Sequence, residues 1–445
     1  MTDSLERMNR RAFLGTSAAA IAATAVLPRT ALSYEKIIGA NDRISLGHVG
    51  IGNRGRELDR IASKLKSSHS VEMVAVCDLW TVNRQKAVAT NTGYYGRAPR
   101  AAAHIEELLA MKELDGVLIS TPDHSHSTLL KMAVEAGKDV YIEKPMGNVL
   151  DEAKAARDTV LQSKSVVQVG TQHRSEPHPR AAHDVIQSGA LGDISKVEIV
   201  WNYHGPRWRG REEVKQIRQQ ETDWNKWLLT KPARAFDPQL YFEFRLYKEF
   251  SSGIPDQWMS HAIDLVHWCM NDSFPKSAVS HGGVFAWHDG RENADTFQTL
   301  LEYRKGFLVS YSTSFGNDAP SFTRYMGKKA TLINIGGEGS PRYELIEEKG
   351  THEDDADIDA KRGSKFILLP GETKLPPMGI DDLSLEHMGN WFDCMRSRQQ
   401  PNASVNDGFA HSVACMMAAE SYWSGRKVYW DAASETISDT ASAQA

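Results

Sequence analysis

The amino-acid sequence predicts an α/β protein in two parts: a parallel-sheet domain first, then an α+β domain on a largely antiparallel open sheet. Three observations carry this expectation. A strand pattern near the start runs into a glycine turn and an amphipathic helix, continuous apolar strands then alternate with helical stretches, and from about residue 166 period-two strands take over. The 445 residues are enough for two or three domains. Lys plus Arg total 52 against 57 acidic residues, a net charge of -5, so nucleic acid is not an expected partner. Four cysteines (Cys77, Cys269, Cys394, Cys415) stand far apart with no Cys-x-x-Cys spacing, which argues against a disulfide framework and a thiolate metal site. No metal is expected.

Residues 1–33 read as an address. Arg10-Arg11-Ala12-Phe13-Leu14-Gly15 precedes an alanine-rich apolar run over 16–27 and then Ala31-Leu32-Ser33, the n-region, h-region and small-residue cleavage site of a secretory leader. The run is shorter than the roughly 20 residues of a spanning helix, and the paired arginines resemble a twin-arginine signal. The expectation is a periplasmic or otherwise exported protein with no membrane span in the mature chain.

Residues 34–165 are expected to form a dinucleotide-binding Rossmann domain. The strand over 43–50 enters Gly50-Ile51-Gly52-Asn53-Arg54-Gly55 and a helix over 56–65. Gly50 permits the tight turn, Gly52 clears the approach of a pyrophosphate, and Gly55 lets the helix pack on the strand, with the helix N-terminus facing the phosphates. A second strand over 71–77 ends in Asp78, which lies 78 - 55 = 23 residues past the last glycine, in the slot of a carboxylate that accepts both ribose hydroxyls. A 2′-phosphate would be repelled there, so NAD is the expected cofactor. The strand over 115–120 stops at Thr121-Pro122, which with the following Asp123-His124-Ser125-His126 should lie at the nicotinamide end. The strand over 139–142 delivers Glu143-Lys144-Pro145 to the same rim.

These blocks, together with Val169-Gly170-Thr171-Gln172-His173-Arg174, Ser260-His261-Ala262-Ile263-Asp264 and Gly425-Arg426-Lys427-Val428-Tyr429-Trp430-Asp431, resemble the Gfo/Idh/MocA family over nearly the whole mature chain. The expected cofactor-binding residues, from the turn, the ribose slot and the rim, are Gly50, Gly52, Asn53, Arg54, Gly55, Asp78, Thr121, Pro122, His126, Glu143 and Lys144. The resemblance implies that Lys144 and His261 act on a substrate hydroxyl, a role an imidazole titrating near neutrality suits. Many family dehydrogenases carry an Asp four residues before the catalytic histidine, where this chain has Gln257 with Asp256 one residue earlier. Either Asp256 fills the slot through a local bulge, or Asp264 orients the ring, or the histidine is tuned differently; Asp264 is the expected partner, since three positions away it shares a helix face with His261.

Residues 166–445 are expected to be the substrate domain, with strands near 196–203, 279–286, 294–303, 307–314 and 330–335 and late helices over 383–396 and 407–424 near the domain junction. Between Trp201 and Phe250 lies a segment dense in aromatics and arginines, including Trp208, Trp224, Trp227, Tyr241, Phe244 and Arg245. Such rings either stack on sugar faces or serve core and oligomer contacts. The expectation is an NAD-dependent oxidoreductase of a sugar, glycoside or polyol, a homo-oligomer with tightly bound cofactor. An NAD-dependent glycoside hydrolase working by a redox-neutral cycle, with Tyr203, His204 and His267 as further acid/base candidates, and a noncatalytic carbohydrate-binding relative are the alternatives.

Overall fold

In the computed structural model, residues 43–209, 212–335, 342–348, 363–369 and 384–441 are described; the expected leader over 1–33 lies outside them. Strands β1 (Ile44–Val49), β2 (Val71–Cys77), β3 (Arg100–Ala102), β4 (Gly116–Ile119), β5 (Asp139–Ile142) and β6 (Val167–Val169) pair in parallel in the order β3-β2-β1-β4-β5-β6. This is the Rossmann order. The chain reverses direction across the sheet between β1 and β4, and ligands lie beyond the carboxyl ends of the strands at such a point. β4 and β5 are buried throughout, as continuous apolar strands between two helical layers must be. β6 lies past the domain boundary expected at residue 165 and belongs to this first sheet. One covering helix comes from far along the chain: Leu385–Ser397 places Met388, Trp391, Phe392 and Met395 in one cluster with Ile44, Leu46, Leu58 and Leu118. Gly116 is bare because a Cβ there would meet the Trp391 ring at 3.1 Å.

The second sheet collects β7 (Ile194–Val200), β9 (Pro275–Gly283), β10 (Thr296–Tyr303), β11 (Leu308–Ser314), β13 (Phe322–Gly327), β14 (Ala330–Asn334), β15 (Tyr343–Glu347), β16 (Ser364–Phe366), β17 (Val428–Asp431) and β18 (Thr436–Ser438). β8 (Tyr203–His204) and β12 (Gly316–Asn317) form a separate small ladder. Every pairing in the large sheet is antiparallel except β7 with β11. In β10 the period-two alternation buries Phe297, Thr299, Leu301 and Tyr303 on one face. The helices Ser260–Met270 and Val405–Ser424 pack against each other, and the second packs on β9. Val405–Ser424 starts at a capping box in which Ser404 and Asp407 satisfy each other's backbone amides.

Candidate active site

The glycine turn has the three properties that a phosphate cradle requires. Gly50 has φ +83, and a Cβ on it would lie 2.9 Å from the Thr121 amide nitrogen. A Cβ on Gly55 would sit 2.5 Å from the Gly50 carbonyl oxygen, so only glycine lets the helix Asn53–Leu65 approach the turn this closely. A Cβ on Gly52, by contrast, meets nothing within 4 Å. That position opens into the cleft, and no side chain caps the amides of the helix that follows. Behind the turn, buried His48 bridges Asp59 (2.6 Å) and Ser120 (2.8 Å), and Ser120 donates to the Gly50 carbonyl (2.6 Å).

Gly50, Gly52, Asn53, Arg54, Asp78, Thr121 and Pro122 all line one cleft. The Asp78 carboxylate ends β2, accepting from the amides of Ile51 (2.9 Å) and Trp80 (2.9 Å) and from Asn83 (2.8 Å). Burial pushes its pKa up, while these donors favour the ion. Two carboxylate oxygens hold more lone pairs than three donors use, so acceptor capacity remains for ribose hydroxyls. A dinucleotide fits these residues: bare backbone at Gly52, free helix amides and a carboxylate one strand away.

Four expected cofactor residues do not line this cleft: Gly55 packs beneath the turn, Lys144 is turned toward Gln257 at the rim, and His126 and Glu143 stand elsewhere. His126 is buried, with Nδ1 2.6 Å from the Pro145 carbonyl and Nε2 2.7 Å from the Thr121 carbonyl, so it staples the two rim loops together and does not line the cleft. Glu143 is also buried away from the cleft lining and accepts from Arg54 Nε at 2.7 Å. Despite burial, which opposes charge, Glu143 holds the Arg54 pKa above its ordinary value. Both were placed by their nearness in sequence to the rim, and a rim loop points side chains inward as well as out.

At the rim, Lys144 Nζ donates to the Gln257 carbonyl at 2.8 Å. Gln257 Nε2 donates to both oxygens of Asp123 (2.8 and 2.6 Å), and its Oε1 accepts from Arg245 (2.8 Å). Gln257 lies in a π turn, Pro255–Met259, that runs directly into the helix Ser260–Met270 bearing His261. A π turn holds one residue more than an α-turn would, so Asp256 takes the register that position i-4 has in a regular helix. Its Oδ2 accepts from the Ser252 amide (2.7 Å), while Oδ1 is buried without a hydrogen-bond partner. Burial, then Asp123, pushes the Asp256 carboxyl up to about 7 against a pull from Lys144. Burial pulls the Lys144 pKa down. His261 is held well below its usual value by burial, then by Lys144 and His173, which keeps the imidazole neutral at pH 7.

Asp264 does not orient His261. Its oxygens are taken by Arg174 (2.7 and 3.0 Å), with His411 at 3.5 Å, and these partners more than offset burial and hold its carboxyl far below the usual range. His261 Nδ1 has no hydrogen-bond partner. The carboxylate faces Arg174 because an ion buried this deeply needs a charged partner more than a neutral ring does. His261 instead lines a second cavity with Trp201, Phe322, Thr323, Tyr343 and His173. The His173 and His261 rings meet edge to face at 5.2 Å, and His173 Nδ1 lies 2.9 Å from buried Glu176. Of the further acid/base candidates, His267 is buried against the Tyr303 hydroxyl at 2.7 Å, its pKa driven to about 3 by burial, while Tyr203 and His204 are exposed on β8.

Comparison with known proteins matches residues 44–171 to the Gfo/Idh/MocA oxidoreductase family, NAD-binding Rossmann fold, and residues 184–429 to the C-terminal alpha/beta domain of the same family. The chain belongs to the Gfo/Idh/MocA oxidoreductase family. Curated relatives of the chain include an inositol 2-dehydrogenase of Rhizobium meliloti, 28% identical over 35% of this chain and 44% of the relative. A scyllo-inositol 2-dehydrogenase (NAD(+)) of Bacillus subtilis is 35% identical over 19% of this chain and 25% of the relative. The chain thus spans less than half the length of these relatives. Levoglucosan dehydrogenase in complex with NADH shares the fold, with a TM-score of 0.67 at 16% identity, covering 87% of this chain and 99% of that one.

His124 lines the cleft, as its loop was expected to. Sequence reasoning missed Gln257 as a junction, visible only as a departure from a motif, and the His173–Glu176 pair, of which only His173 lay inside a quoted block. Among the described residues no group of three or more His, Cys, Asp or Glu is placed to hold a metal.

Asp78→Ala should weaken NAD binding by about one to two decades, the value of a hydrogen bond to a charged group, and narrow the preference over NADP; fluorescence titration with both cofactors measures it. Asp256 offers a pH test. Its folded pKa is raised to about 7, so its stabilising proton is fully bound below the unfolded value and lost as pH rises through the folded one. Asp256→Asn should therefore melt higher than the parent protein above roughly pH 8, with a difference that shrinks toward roughly pH 4. A pH-independent Tm difference would show that Asp256 does not titrate in this window.

Proposed function

We propose that the protein oxidises a hydroxyl of a sugar, glycoside or polyol by transferring hydride to bound NAD. The observation that carries this reading is the Lys144–Gln257 hydrogen bond, which brings a lysine from the dinucleotide rim to the turn preceding His261. NAD supplies the hydride acceptor. Lys144 at the rim is suited to hold the hydroxyl oxygen as it becomes a carbonyl, and burial makes it readier than an ordinary lysine to release a proton. His261, neutral at pH 7, is free to take the hydroxyl proton. Asp256, titrating near neutrality in the field of Lys144, is a further acceptor for a proton leaving the rim. Relatives named inositol 2-dehydrogenase and levoglucosan dehydrogenase support a carbohydrate or polyol substrate.

Redox-neutral glycoside cleavage is the second reading, favoured by one feature: the His173–Glu176 pair puts another acid/base group in the cavity of His261. A cycle that oxidises, eliminates and reduces needs more proton transfers than a dehydrogenase does.

A homo-oligomer is supported by exposed apolar side chains on the open sheet, where Val279 and Leu300 are direct cross-strand neighbours. Export is supported by Arg10-Arg11 and the apolar run behind them.

Lys144→Ala and His261→Ala should each lower turnover by about 10² to 10⁴ while leaving bound NAD largely in place. A screen of polyols, free sugars and aryl glycosides separates the readings: net NADH marks the dehydrogenase, aglycone release without net NADH marks the hydrolase. Arg10→Lys with Arg11→Lys should leave the uncleaved precursor in the cytoplasm on fractionation; normal export of that variant would exclude the twin-arginine route.

A further inference from the structure

The cofactor cleft has two walls. One is the Rossmann edge described above. The other is made by residues that no dinucleotide motif contains: Trp227, Leu229, Tyr241, Phe242, Phe244 and Arg245, all from the aromatic segment of the substrate domain. The segment has its own core, in which Trp224 stacks on Trp227 (4.9 Å between centroids, 10° between planes) and Leu228, Leu240, Phe244 and Phe250 complete the cluster. It is rooted in the substrate domain, where Asn293 Nδ2 donates to the carbonyls of Arg245 (2.9 Å) and Ser251 (2.8 Å) and Arg245 reaches Gln257.

From that root it crosses to the Rossmann domain and fastens there. Thr222 pairs with Trp80 as an antiparallel bridge, and the Asp223 amide donates to the Leu79 carbonyl at 3.1 Å, immediately after the ribose-binding Asp78. The Asp223 carboxylate lies 2.8 Å from His104 Nε2, and Lys226 pairs with Glu106 at 2.6 Å. Deeper in, His124 is 2.9 Å from the Trp227 carbonyl and packs edge-on against the Trp227 and Phe250 rings at 4.8 and 5.0 Å. The segment is therefore closed over the groove. It is fastened along the outer edge by partly exposed polar contacts of small individual strength and along the inner edge by buried aromatic packing.

We propose that residues 219–250 are a strap that locks NAD into its cleft and makes it a non-exchanging prosthetic group. This deepens the dinucleotide-binding reading and rests on it. A bound dinucleotide lies between the Gly50–Gly55 turn and the strap, so it leaves only when the outer fastening opens and Trp227 withdraws from His124. Tight binding then comes from a slow off-rate. A hydride accepted in the cleft must also be removed there, by a second substrate or by reversal within one cycle.

The test is exchange of bound NAD against excess isotopically labelled NAD in the purified holoprotein, followed by filtration and mass spectrometry. Two variants change the strap without touching the cleft lining: Asp223→Ala removes the bond to His104 and the cap on the helix Trp224–Leu228, and Trp224→Ala removes the stacking partner of Trp227. Each should speed exchange by about ten-fold or more, with near-UV circular dichroism confirming a folded protein. A third variant, Trp80→Cys with Thr222→Cys, uses the bridge pairing to staple the strap to the loop after β2. Its exchange should be slower oxidised than after reduction, a comparison within one protein. Exchange in the parent protein within seconds, or wild-type exchange in both folded alanine variants with no redox effect in the staple, would overturn the strap. A protein that neither retains nor binds NAD would instead overturn the dinucleotide reading beneath it.

Discussion

Gln257 is the residue on which the active site depends. Its carbonyl receives Lys144 from β5's loop, its amide nitrogen holds Asp123 from the loop after β4, and its amide oxygen receives Arg245 from the strap. One side chain and one carbonyl thus tie the cofactor rim, the substrate helix and the roof of the cleft to a common point. The position could not hold a carboxylate as easily. An Asp or Glu there would face Asp123 across less than 3 Å of buried space, with no donor of its own to offer, and two unprotonated carboxylates cannot share such a site. The amide is the neutral group that both donates to Asp123 and accepts from Arg245.

The same constraint explains the electrostatics around it. Asp123, Arg54 and Lys144 lie close enough to shift the titration of Lys144, Asp256 and His261 among them, and burial is the largest cause of each of these shifts. The result is a lysine readier to lose its proton, a carboxyl readier to hold one and an imidazole held neutral. The lysine and the carboxyl are thereby moved toward the working pH, as reversible proton transfer requires, while the imidazole is moved away from it and stays a neutral acceptor. The π turn belongs to the same arrangement, since it lets Gln257 face the rim while Asp256 and His261 keep the spacing of a helical face.

The aromatic segment shows how one composition supports different outcomes. Its rings were equally consistent with a sugar platform and with packing. The structure gives most of them to a small core of their own and to the cofactor roof, while Trp201 alone of the segment lines the cavity of His261. Flat rings serve both purposes by the same burial of apolar area, so residue type cannot separate them.

What the sequence determined by itself is the local part: the strand, glycine turn and helix from 44 to 65, Asp78 at the end of the next strand, and the rim loops at 121–126 and 143–145. These rest on contacts between residues close in the chain and on backbone freedom at Gly50, which residue type alone decides. The tertiary structure alone decided which rim side chains face the cleft. His126 and Glu143 turned inward to staple loops and hold Arg54, and Asp264 went to Arg174, 90 residues away, in place of a histidine three residues away. The strap likewise joins residues 222–227 to residues 79–106. The physical reason is common to all of these. A buried charge or polar group takes whichever partner best repays its lost hydration, and that partner is set by where distant elements meet, which no short stretch of sequence records.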